Sequence, residues 1–174
     1  PHQMPVYKKT NIHEILERVR SLILSEFSSD IAFIRDYDVS LPEFIVDREK
    51  LIQAILNIAR NGAQAMKLSN QANMKLSFIT RAERQIVFRK KKHATAIRID
   101  IIDNGPGIKN ELIDKIFFPL VTGKENGSGL GLSLSQNLIS LHQGMIDCHS
   151  VPGKTVFSII LPIENNLMPT KEKK

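Results

Sequence analysis

The run Arg48–Met66, REKLIQAILNIARNGAQAM, is apolar around most of a helical circumference. A helix of that kind belongs in the interior of a domain, so the rest of the chain must be built to cover it. Asn57 and Asn61 interrupt it four residues apart and fall on one face. Amides placed on a buried helix need hydrogen-bond partners, either a structural network or a ligand.

The covering elements can be read on both sides of this helix. Upstream, TNIHEILERVRSLIL starts with a capping-box spacing from Asn11 to Glu14. It continues with Ile12, Ile15, Leu16, Val19, Leu22 and Ile23 at helical spacing. IAFIRDY and FIVD read as strands, with Asp47 placed to cap the buried helix. Downstream, MKLSFIT and TAIRIDIID alternate as half-buried strands do. KNELIDKIFFPL predicts a short amphipathic helix ended by Pro119. A further helix is expected from about Gly129 to Gln143, followed by strands MIDCHSV and TVFSIILP around a PGK turn. This order predicts an α+β two-layer sandwich, with helices on one face of a mixed, mainly antiparallel sheet.

With 174 residues, 42% hydrophobic and 24% charged, the chain suffices for one domain with a full core. No apolar run reaches the roughly 18 residues of a membrane helix, so no membrane span is expected. The chain begins with Pro1, which predicts a fragment or processed product. The single cysteine, Cys148, excludes an intrachain disulfide and a multi-thiolate zinc site, and reads as a small core residue. The setting expected from this usage is cytoplasmic. Much of the net charge of +6 lies in RAERQIVFRKKKH, Arg81–His93, with six Lys/Arg against one Glu. That run is expected to be the solvated part of a hairpin excursion, and direct nucleic-acid binding is not expected.

Two glycine-rich stretches carry chemical information. TGKENGSGLGL, Thr122–Leu132, holds four glycines just before a helix. Unpaired N–H groups of a first helical turn attract anions, and glycines let backbone approach phosphate closely. The spacing is neither a P-loop nor a dinucleotide fingerprint: Cys148 stands where the P-loop ending at Thr155 needs its first glycine, and Gly127, Gly129 and Gly131 run G-x-G-x-G. Upstream, Asp103-Asn104-Gly105-Pro106-Gly107-Ile108 ends a strand. The Asp carboxylate there can accept from an amino group such as that of adenine, or the stretch can be a plain turn or helix cap. Taken with both glycine stretches, the Asn57/Asn61 pair suits phosphate oxygens and Mg²⁺, which takes oxygen ligands and keeps several waters.

LNIARNGAQAM, DNGPGI, FFPLVTGK, GSGLGLSL and PGKTVF, in that order, resemble the N, G1, F and G2 boxes and the terminal Thr motif of sensor histidine kinases. These belong to the ATP-binding superfamily shared with gyrase B, MutL and the ninety-kilodalton heat-shock protein. IRDYDVSLPE and IFFPLVTGKENGSGLGLS are most similar to nitrogen-regulation sensor kinases of the NtrB type. The resemblance implies a Bergerat fold that binds ATP with Mg²⁺. It implies that Asn61 is the catalytic magnesium ligand, with Asn57 one turn before it. Asp103 would read the adenine amino group in a pocket shaped by Gly105, Gly107 and Ile108 and supported by Thr155. A mobile lid from Phe117 to Ser128 would bring Thr122, Lys124, Gly127 and Ser128 to the nucleotide. Gly129, Leu130, Gly131 and Leu132 would open a helix at the phosphates.

Asn57 stands where the ATP-hydrolysing relatives carry a Glu that activates water; an amide cannot take a proton near neutral pH. The resemblance therefore implies a kinase that passes the γ-phosphoryl group to a histidine on its own dimerisation domain, and then to a response regulator. A PII-type signalling protein is a further candidate partner. The alternatives are a non-catalytic ATP-sensing module and a gyrase- or MutL-like ATPase domain. His13-Glu14 has the dipeptide of an acceptor site but lies at a helix start, so the acceptor is expected elsewhere. Gln64 replaces a frequent Lys or Arg near the phosphates, and Pro152 and Lys154 replace turn glycines. The expected organisation is a linker over 1–10, a catalytic ATP-binding domain over 11–163 and a polar tail over 164–174.

Overall fold

A computed structural model describes residues 3–27, 30–118 and 131–163. Eleven elements follow one another: β1 (Lys8–Thr10), α1 (Ile12–Phe27), β2 (Ile31–Asp36), β3 (Phe44–Val46), α2 (Arg48–Leu68), β4 (Met74–Phe88), β5 (Lys91–Asp103), α3 (Asn110–Ile113), α4 (Gly131–Leu141), β6 (Met145–Val151) and β7 (Lys154–Pro162). Five strands form one sheet in the order β2-β4-β5-β7-β6. Its β2–β4 pair is parallel and the other three are antiparallel. This is the mixed, mainly antiparallel sheet expected from sequence.

Local signals set the helix starts. The Asn11 side chain accepts from the His13 amide at 2.9 Å, and Asp47 accepts from the Lys50 amide at 3.1 Å. Asp47 also accepts from the Val6 amide at 2.9 Å. Lys8–Thr10, within the stretch read as linker, form β1 and pair with β3. The helix expected from KNELIDKIFFPL regularises only at Asn110–Ile113, and Pro119 lies outside the described residues. α4 ends at Leu141, two residues before the expected stop, where Gln143 turns at a φ of 60°.

The core fills the space between the helices and one sheet face. Leu51, Ile55, Ile58, Ala59, Ala63 and Met66 of α2 are buried, as are Ile15, Leu16, Val19 and Ile23 of α1. On the sheet, Phe78–Ile101–Phe157–Cys148 and Thr80–Ile99–Ile159–Ile146 run across neighbouring strands as rows on the helix-facing side. All but Thr80 of these eight are apolar. The opposite face is polar: Arg98 pairs with Glu83 at 2.8 Å, and Ser158 donates to Asp100 at 2.7 Å. Period-two alternation along each strand produces this division.

The basic run forms a hairpin, as expected: β4 and β5 continue as one antiparallel pair, closed by the two-residue turn Arg89-Lys90. Arg84, Lys90, Lys91 and Lys92 are exposed, as expected. Phe88 and His93, however, are buried and stack with ring centroids 4.1 Å apart. Arg89 donates to the carbonyls of Gly144 at 3.2 Å and Ser140 at 3.5 Å, at the C-terminal end of α4. The period-two apolar signal of Ile86, Phe88 and His93 lies beneath the charges and governs the packing.

Candidate functional site: a polar row at one end of the sheet

The last helix-facing row departs from the apolar pattern. It runs Leu76–Asp103–Thr155–Ser150 across β4, β5, β7 and β6. Asp103 is 8% exposed and Thr155 3%. A carboxylate this deep needs a reason, because burying charge is costly without partners. Its Oδ1 accepts from the Gly105 amide at 2.9 Å. Close approach of two glycines brackets it: a Cβ on Gly62 would stand 2.8 Å from Oδ2, and one on Gly105 would stand 2.8 Å from Oδ1. Helix α2 therefore touches the carboxylate through Gly62, which directly follows Asn61.

The loop after Asp103 is tied down on both sides. The Asn104 side chain accepts from the Lys75 amide and from Gln71 Nε2, both at 2.8 Å, and donates to the Asn73 carbonyl at 2.8 Å. The Gly153 amide donates to the Gly105 carbonyl at 2.8 Å. Gly107 takes a φ of +87° with its Cα against the Val151 carbonyl, where a Cβ would come within 2.9 Å. The Ile108 amide donates to Ser150 Oγ at 2.8 Å, and Ser150 Oγ lies 2.6 Å from Thr155 Oγ1.

Asn57, Asn61 and Gln64 are half-buried rather than buried, a correction to the sequence expectation. They form a half-buried polar stripe along α2, beside its buried apolar positions. α4 crosses α2 nearby, with Ser135 Oγ donating to the Ala54 carbonyl at 2.8 Å. At its other end, His142 is buried: Nδ1 lies 2.7 Å from the Leu138 carbonyl, and Nε2 accepts from the Asp47 amide at 3.0 Å. Burial lowers the pKa of this imidazole, which matches the neutral form the two contacts require.

The structure thus gathers Asp103, Gly105, Gly107, Ile108 and Thr155 at one end of the sheet, with Asn61 one residue from the contact point on α2 and Asn57 one turn before. Gly131 and Leu132 open α4. Thr122, Lys124, Gly127, Ser128, Gly129 and Leu130 lie outside the described residues. Sequence reasoning missed Gly62, Asn104 and Ser150. A glycine inside a helix was the available signal for the first. Cys148 is buried, as expected, and desolvation together with Asp147 and Asp103 pushes its thiol up to about 12. His13 is half-buried, stacked on Tyr37 at 4.5 Å, with Nε2 2.8 Å from Thr80 Oγ1.

At this end of the sheet a buried carboxylate and two hydroxyls face a helix that carries half-buried amides. The model of the histidine kinase-, DNA gyrase B-, and HSP90-like ATPase family matches residues 46–165, and the chain belongs to that family. It is 50% identical over 90% of its length to the sensory histidine kinase/phosphatase NtrB of Vibrio alginolyticus, covering 45% of that protein. It is 43% identical over 92% of its length to NtrB of Escherichia coli O157:H7, covering 46% of that protein. The chain therefore spans about half the length of these curated relatives. Among solved structures, the nucleotide-free catalytic domain of histidine kinase ThkA superposes with a TM-score of 0.71 at 25% identity, covering 91% of this chain and 96% of that one. A mycobacterial sensor histidine kinase, MprB, superposes at 0.72 with 23% identity, over 90% of this chain and 97% of that one, a likeness of fold.

Proposed function

We propose that this chain is the ATP-binding catalytic portion of a nitrogen-regulation sensor histidine kinase, with the catalytic domain spanning 11–163 between a linker and a polar tail. Its γ-phosphoryl group would go to a histidine on a separate dimerisation domain, and from there to a response regulator. A PII-type signalling protein would be a further partner, and the cytoplasm the setting. Among the described residues no helix is long and apolar enough to cross a membrane. The observation that carries the reading is the bracketed Asp103 carboxylate, a buried acceptor that α2 meets at Gly62, the residue after Asn61.

The chain's own residues would act by binding and placement. Asp103 accepts from the adenine amino group, with Thr155 beside it and the Gly105–Ile108 backbone along the ring. Mg²⁺ fits the donors present: Asn61 offers a hard amide oxygen on a half-buried stripe. No group of three or more His, Cys, Asp or Glu among the described residues could hold an ion without the nucleotide. When bound, the ion would neutralise phosphate charge. Lys124 would add charge from the lid, and Gly127, Ser128, Gly129, Gly131 and their neighbours would offer backbone N–H groups to the phosphates. The bond from the γ-phosphorus to the bridging oxygen breaks, a bond from phosphorus to an imidazole nitrogen forms, and ADP leaves. Asn57 accepts no proton from water, so hydrolysis has no base at that position, which favours the kinase over the ATPase reading. The Nε2 contact with Thr80 and the stack on Tyr37 engage His13, which supports an acceptor elsewhere.

The test combines this chain with a dimerisation domain from a half-identical relative and labelled ATP, and assays acid-labile phosphohistidine. Asn61→Asp should reduce transfer sharply. Wild-type transfer by that variant would exclude Asn61 as the essential metal ligand, and ATP hydrolysis without transfer would overturn the kinase reading.

A further inference from the structure

Two buried hydrogen bonds tie α4 to α2. Ser135 Oγ donates to the Ala54 carbonyl at 2.8 Å, and the Asp47 amide donates to His142 Nε2 at 3.0 Å. A carbonyl can only accept and an amide N–H can only donate, so both directions are fixed. Ser135 and Ala54 are fully buried, and His142 is nearly so. We propose that Ser135 is a positioning residue: it locks the axial register of α4 on α2 and so holds the helix start at Gly131 level with the turn that carries Asn57. The proposal rests on the reading of that helix start as the phosphate end of the site.

The spacing of the two ties carries the argument. Asp47 and Ala54 stand seven residues apart along α2 and its cap, and Ser135 and His142 stand seven apart along α4 and its end. Seven residues is about two helical turns, so the two helices run antiparallel in one register. One more turn in that register brings Gly131, where α4 begins, level with Asn57 and Ile58. Asn61 lies a further turn along α2. A hydroxyl buried in an apolar helix contact specifies register, because a slip leaves it unpaired. Slipping by one turn would move the start of α4 by about 5.4 Å along α2. A triphosphate and ion shared between that start and Asn61 depend on much finer placement. Ser135 is the tie nearer the amides, and without it α4 keeps only the tie at His142. The base end does not depend on this contact: Asp103 and Thr155 are held by strand pairing, and Gly105 by the loop after β5.

Affinities for Mg–ATP and for adenosine, which has the base but no phosphates, are measured by NMR titration on the full chain and on Ser135→Ala, with a melting temperature for each. Alanine is the better helix former, so the variant is expected to fold. Mg–ATP should weaken about fivefold, the scale of one neutral hydrogen bond, while adenosine affinity holds. Equal weakening of both ligands, or an unchanged Mg–ATP affinity, would overturn the proposal, since general loosening of the fold acts on both alike. A wild-type chain that binds neither ligand would instead remove the nucleotide reading itself, and one that binds adenosine as tightly as Mg–ATP would remove the phosphate role of the helix start. Wild-type preference for Mg–ATP that survives undiminished in Ser135→Ala removes only the role of Ser135.

Discussion

The two ends of the five-stranded sheet are built on opposite terms. At one end a polar row, Asp103–Thr155–Ser150, is sunk in the core and shaped by glycines on either side. At the other, the β4–β5 hairpin carries exposed cations outside and a Phe88–His93 stack inside, and Arg89 fastens it to the end of α4. The first end gives up apolar packing to hold a carboxylate and hydroxyls inside the core. The second extends the apolar core into a region that charge alone would leave in water. The contrast is between a candidate site and a brace, and mutations at the two ends should separate binding from stability.

The largest effect should come from Asp103→Ala. Removing a buried charged acceptor is expected to weaken ATP by about a hundredfold, the scale of roughly 2–3 kcal/mol for a charge-assisted hydrogen bond. Phe88→Ala at the opposite end should leave ATP affinity unchanged while unfolding becomes easier by about 3 kcal/mol, as for buried aromatic truncations. Calorimetry and denaturant titration on both variants decide the matter. Loss of ATP affinity in Phe88→Ala would show the two ends to be one coupled unit.

Next in size is a pair of glycines with the same backbone turn and different surroundings. Gly107 has a φ of +87° and no room beside the Val151 carbonyl, whereas Gly153 has a φ of +89° with nothing within 4 Å. Gly153→Ala should cost only the left-handed backbone term, about 1–2 kcal/mol. Gly107→Ala should cost more and should also weaken ATP, because the displaced loop carries Gly105 and Ile108. Equal losses in the two variants would mean that the Val151 contact yields freely.

Much of this contrast was legible in the sequence, but unevenly. The Asp47 cap, the apolar circumference of α2 and the DNGPG exit are local signals, and each stands where its chemistry put it. The alternation in β4 and β5 fixed which face is wet. What could not be read is long-range register. Ser150 meets Thr155 only because β6 and β7 pair in one alignment, and Gly62 meets Asp103 only through tertiary packing. The burial inside the hairpin was hidden for a different reason: six cations outweigh Phe88 and His93 in composition, while period two places those two on the inner face. The half-open state of Asn57 and Asn61 was equally hidden, since helical period gives a shared face but not what that face meets.

A smaller effect is expected with pH. His142 closes α4 next to the residues that Arg89 holds, facing the Leu138 carbonyl, with Asp47 and Lys50 near it. Its folded pKa is lowered, first by desolvation, from an ordinary value of 6.5. Above that value both folded and unfolded forms are neutral and stability is complete. Below it the unfolded chain binds a proton that the folded chain refuses, so stability falls as pH drops through 6.5 toward the folded value. His13, lowered by burial as well, adds to the same slope. His142→Gln should flatten the slope of melting temperature against pH between 5 and 7, and an unaltered slope would remove His142 as a source.

The smallest change tests the brace itself. Arg89 and Lys90 form a two-residue hairpin turn with φ of 52° and 59°, a conformation that Asn-Gly adopts more readily. Relief of that backbone cost should stabilise the fold by about 1 kcal/mol at each position. Replacing Arg89 also removes two bonds to the end of α4, at 3.2 and 3.5 Å, each a weak contact. Lys90→Gly alone should therefore raise the melting temperature, and Arg89→Asn should raise it less or not at all. The difference between the two measures what Arg89 contributes to holding α4. If Arg89→Asn stabilises as much as Lys90→Gly, the guanidinium contributes nothing, and the stacked Phe88–His93 pair alone fastens the hairpin.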